Sequence, residues 1–128
     1  MSTTSRLLAA LAGSTILVIG AAQAGLTARL GAHPFWAQSV AWVGVPLGLL
    51  LFLLTTRWNR GRVTLVFAVL AGASLFAAHQ GKTTFAASFA ENALAGRIWY
   101  FGWIAAAGFT AAALATLIHG LTAPRDAA

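Results

Sequence analysis

Four apolar runs, at residues 7–24, 36–54, 63–79 and 98–119, constrain this chain more than any other feature. Each is close to the roughly 20 residues a helix needs to cross a hydrocarbon core about 30 Å thick. Lipid offers backbone groups no hydrogen bonds, so a spanning segment satisfies them internally, and helices are the solution such runs support. The expectation is an all-α, polytopic transmembrane helix bundle forming a single domain over residues 1–128. Composition agrees: 59% of the residues are hydrophobic and 8% charged, too little polar surface to cover a soluble globule.

The charges orient the bundle. Eight Lys and Arg stand against two acids, and the basic residues lie at the ends of the apolar runs. There they meet lipid headgroups, and no basic face interleaved with aromatics suggests nucleic acid. Arg57, Arg60 and Arg62 cluster in one short loop, which the positive-inside rule assigns to the cytoplasm. With four spans both termini are cytoplasmic: Arg6, Arg57, Arg60, Arg62 and Arg125 lie inside, and Arg29, Lys82 and Arg97 outside. A bacterial inner membrane is the expected location. The rival reading of the first run is a cleaved signal peptide, with Ala22-Gln23-Ala24 as its A-x-A site.

The second run is framed by Trp36 and Trp58, 22 residues and about 33 Å apart along a helix, a spacing that suits aromatic belts at both membrane faces. Inside it, Pro46 predicts a kink, while Gly44 and Gly48 predict a close helix contact. Ala68, Gly72 and Ala73 offer a small-residue face on the third run. Residues 83–97 are ambiguous. Thr84, Ser88, Glu91 and Ala95 fall on one side of a continuous helix, so this stretch reads as an amphipathic surface helix or, over 83–100, a fifth span.

Glu91 is the one carboxylate placed to bind a proton or cation inside the bundle, because Asp126 sits at the chain end. Ionisable groups at membrane depth mark ion and proton pathways, so Glu91, Asn92, Gln23, Thr27 and Trp42 are the expected lining of a polar transport cavity. The alternative places Glu91 at the interface beside Lys82 or Arg97. His33 and His79 near the outer face raise a metal or heme site, but a loop position and a helix end do not supply ligands facing one another; no metal or cofactor is expected. No carboxylate pair and no Ser-His-Asp grouping suggests catalysis, and the chain holds no cysteine.

The stretch Gln23-Ala24-Gly25-Leu26-Thr27-Ala28-Arg29-Leu30-Gly31, followed by Pro34-Phe35-Trp36-Ala37-Gln38-Ser39-Val40, resembles the YdcZ-like short permeases of the drug/metabolite transporter superfamily. Thr84-Phe85 through Phe101-Gly102-Trp103 is similar to that family's fourth helix and its Phe-Gly exit. Thr27 stands where the family often has Asn, and Glu91-Asn92 where a Gln is usual. The resemblance implies five spans, with 83–100 the fourth, and an inner-membrane transporter working as an oligomer. Two functions follow as expectations. One is transport of small or cationic solutes, the substrate unspecified, by a homo-oligomer. The other is a non-catalytic accessory or assembly subunit within a larger membrane complex.

Overall fold

The computed structural model describes residues 1–125; Asp126 lies outside them. Helix α1 spans Thr3–Gln23, started by Ser2, whose hydroxyl accepts the Ser5 amide at 3.1 Å. Gly25 ends it in a left-handed conformation at φ 92°, the backbone state glycine adopts without steric cost. A short helix, α2 (Leu26–Arg29), and a loop lead to α3 (Ser39–Leu54). Helix α4 covers Arg60–Ala87 and α5 covers Ala93–Leu121. Asn59 and Asn92 cap them, each side chain accepting an amide three residues on at 3.0 Å.

Three of these helices, α1, α4 and α5, are long and apolar enough to cross a membrane; α3, at 16 residues, is a shorter apolar helix. It begins at Ser39 rather than at Trp36. The Ala37 carbonyl is taken by the Thr27 hydroxyl at 2.6 Å, and the Ala41 amide turns to Gln38, so the first turn of the expected run is consumed in holding α2. Pro46 lies inside α3, on its exposed side.

Residues 83–97 form neither an amphipathic helix nor a fifth span. Their first part completes α4, their last part opens α5, and a tight turn at 88–92 separates the two. Phe89 and Ala90 both adopt left-handed backbone, at φ 55° and 65°, so the regular face that joins Thr84 to Ala95 does not exist. The polar character of this stretch has a simpler source. At 28 and 29 residues, α4 and α5 are each about 43 Å long, roughly 13 Å more than a hydrocarbon core. Polar groups at their shared tip fit the headgroup layer.

Helix α5 is the axis of the fold. It packs against α4, α3 and α1; α1 also touches α3, while α4 meets neither α1 nor α3 among the described residues. Twelve residues of α5 are buried, from Ala95 to His119, six of them alanines in the stretch from Ala106 onward or at its start. The chain runs up and down, so that Arg6, Arg57, Arg60, Arg62 and Arg125 collect at one end of the bundle, here the arginine end. Residues 24–38 and the 88–92 turn form the other, the aromatic end.

Glycine sets the closest approach. A methyl group at Gly44 would stand 2.5 Å from the Ile104 carbonyl, and one at Gly48 would collide with the Gly108 carbonyl. Backbone therefore lies on backbone, the geometry by which small residues join helices in lipid. Gly72 has open space around it. The face that α4 turns to α5 carries Val63, Phe67, Ala71, Ala78 and Gly81 instead, a stripe one position removed from the small-residue face anticipated from Gly72.

Candidate functional site

At the aromatic end the α2–α3 loop is tied to α5 by one long-range bond. The Trp99 indole N–H donates to the Gly31 carbonyl at 3.0 Å. Trp99 is buried beside Ala32, Ala37, Val40, Ala78, Trp103 and Ile104, so its ring is fixed by packing and its polar edge is free to hold the loop. Trp36 meets Trp99 edge-on at 5.2 Å and Tyr100 at 5.1 Å, and His33 stacks on Trp36 at 6.0 Å. Phe85 of α4 completes the cluster 5.9 Å from Trp99.

Because α1 and α4 both rest on α5 without meeting, a crevice runs between them. Its deep part, about 280 Å³, is lined by Leu17, Val18 and Ala21 of α1, Leu26 and Thr27 of α2, Leu75 of α4, and α5 from Trp103 to Leu114. A second cavity of about 330 Å³ continues it towards the aromatic end; Leu30, Leu75 and Trp103 line both. There the walls turn polar, with His79, Lys82 and Gly31. Lys82 reaches over Gly31: a methyl group on that glycine would meet Nζ at 3.5 Å and Cδ at 3.9 Å. The lysine stem thus lies on the loop with its ammonium at the mouth. The arrangement is an apolar slot, open along the outside of the bundle, ending at a cation.

The arginine end is built differently. Arg6 is only 8% exposed and His119 6%, and Arg6 Nη2 donates to the His119 carbonyl at 2.8 Å. That carbonyl belongs to the last turn of α5, where unpaired carbonyls and the helix dipole favour a cation. Phe52 covers the His119 ring edge-on at 5.6 Å. Among the described residues, Arg6 Nε and His119 Nε2 are buried without partners. The sequence does carry a signal for this site: Arg6, Ala10 and Ser14 recur at helical spacing and are all buried, marking one inward face of α1.

The five residues expected to line a polar cavity do not converge. Glu91 is exposed in the 88–92 turn, Asn92 is occupied as the α5 cap, and Gln23 is exposed at the end of α1. Thr27 bonds the Ala37 carbonyl and touches the apolar crevice. Trp42 is 58% exposed on the outer side of α3. A polar lining needs these groups on facing surfaces, whereas turns and caps claim them here. His33 accepts the Phe35 amide at 3.0 Å and belongs to the aromatic cluster, while His79 lies in the crevice wall; among the described residues no group of three or more metal-ligating side chains forms. Arg57 and Arg62 are exposed and Arg60 is half-buried against Gly120. Sequence reasoning did not single out Lys82 and Trp99 as one site, since they become neighbours only when α4 and α5 fold back on each other.

Comparison with known protein families, with curated proteins and with solved structures gives no match.

Proposed function

We propose that this chain is a non-catalytic subunit of a larger membrane assembly, inserted through four spans with its arginine end on the cytoplasmic side. The observation that carries the reading is how the bundle is filled. The α3–α5 contact is backbone against glycine, the buried set is dominated by alanine, and Thr27, Asn92 and Trp99 are engaged in loop ties and a helix cap. A solute pathway for cations needs an acid at depth, and Glu91 sits in the exposed turn. By contrast, α4 turns Leu65, Val66, Val69, Leu70 and Phe76 outward with Ala68, Gly72 and Ala73 exposed among them, and small residues are what let a neighbouring helix approach closely in a bilayer.

Extraction in a gentle detergent tests this. Stoichiometric co-purification with a larger complex, lost when Val66 and Val69 are replaced by tryptophan, is the expected result. Recovery as a lone homo-oligomer that moves a cationic solute in proteoliposomes, with the flux abolished by Glu91→Gln, would establish the transporter instead.

A further inference from the structure

We propose that the crevice between α1–α2 and α4 is a binding site for one anionic phospholipid, its phosphate at Lys82 and one acyl chain along the slot. This inference does not rest on the subunit reading; it stands on the shape, length and charge of the crevice. Along α5 the deep cavity extends from Trp103 to Leu114, a rise of about 16 Å. That is close to half of a ~30 Å hydrocarbon core, the depth of a single leaflet. Its volume, about 280 Å³, is small beside the roughly 1,300 Å³ that a helix about 10 Å in diameter occupies over the same length. Within its walls the slot has the scale of a hydrocarbon chain rather than of a whole helix.

Charge selects the headgroup. Lys82 is the cation at the mouth, His79 lines the same cavity, and the wall below it is apolar through Leu30, Leu75 and Trp103. Lys82 is also positioned rather than loose, since its stem crosses Gly31, and Gly31 is held by Trp99. One lysine close to an anionic lipid contributes about 1 kcal/mol, equivalent to a fivefold preference over a zwitterionic lipid.

The test uses the full chain reconstituted in vesicles of equal phosphatidylglycerol and phosphatidylcholine, extracted in mild detergent and examined by native mass spectrometry. The expected result is one retained lipid per chain, phosphatidylglycerol favoured about fivefold. Lys82→Gln, at an exposed position, should bring the two lipids to parity while retaining a bound chain. Ala21→Phe or Leu26→Phe, each filling the slot, should remove the retained lipid of both kinds, and Leu65→Phe on the outer face of α4 should leave it in place. Equal retention of the two lipids by the unaltered chain, an unchanged preference in Lys82→Gln, or a lipid that survives both slot-filling variants would overturn the proposal. Helicity and monodispersity in detergent establish that each variant is folded before its lipid is counted.

Discussion

Two seams run along α5, and they are opposites. On one side α3 presses its glycines onto the backbone of α5 at Gly108, with no space between. On the other, α1 and α4 both lean on α5 but stand apart, and large side chains, Leu17, Leu30, Leu75 and Trp103, line the gap. The same central helix thus makes a closed contact and an open one. The difference lies in what each side presents: α3 and α4 each touch α5 through glycine, at Gly44 and Gly48 and at Gly81 and Gly102, whereas α1 and α4 make no contact among the described residues and large side chains flank the slot left between them. In a medium with no hydrophobic drive between helices, packing alone distinguishes them.

Substitutions can break this contrast, and their expected effects fall in a clear order. Gly48→Leu should be the most severe, because a side chain would be driven into the Gly108 carbonyl; a loss of about 3 kcal/mol or more is expected, measurable by unfolding in mixed micelles. Arg6→Ala comes next. It removes the tie that holds α1 to the last turn of α5 at the far end of the open seam, and a bond from a charged donor contributes about 1.5–3 kcal/mol. Trp99→Phe keeps the ring packing but frees the Gly31 carbonyl, with a cost of about 1 kcal/mol and faster amide exchange confined to the α2–α3 loop. Gly72→Ala should act in the other direction. It lies on neither seam, with open space around it, so the helix propensity of alanine should raise thermal stability by up to ~1 kcal/mol. If Gly72→Ala were as damaging as Gly48→Leu, the distinction between the closed seam and the outward face of α4 would collapse.

Much of this arrangement is legible in the sequence, and the rest fails for identifiable reasons. The apolar runs locate the helices because lipid enforces continuous hydrophobicity. Gly44 and Gly48 mark the closed seam because close approach needs the absence of a side chain. The hairpin at 88–92 escapes detection because it turns on Phe89 and Ala90, residues that carry none of the usual turn chemistry. Without a glycine or proline to interrupt it, the stretch looks like continuous helix, and Glu91 is then assigned to a face it never joins. Trp42 misleads for a related reason: periodicity says it belongs to a helix, but nothing local says which way that helix is rotated. The open seam is invisible in sequence because its walls come from α1, α2, α4 and α5, and an unfilled space has no residue of its own.

The turn at 88–92 has a consequence for how the protein reaches its membrane. It joins the two longest helices with five residues, of which only Glu91 is charged. In the orientation proposed above this link is the part that crosses the bilayer, and a link so short and so sparsely charged would do so at little cost compared with separate insertion of two helices and a polar loop. Helices α4 and α5 are therefore suited to enter as one hairpin, already joined where Ala78 lies on Gly102. A hairpin inserted in this way would present α5, the helix that α1 and α3 both pack against, as one ready docking surface.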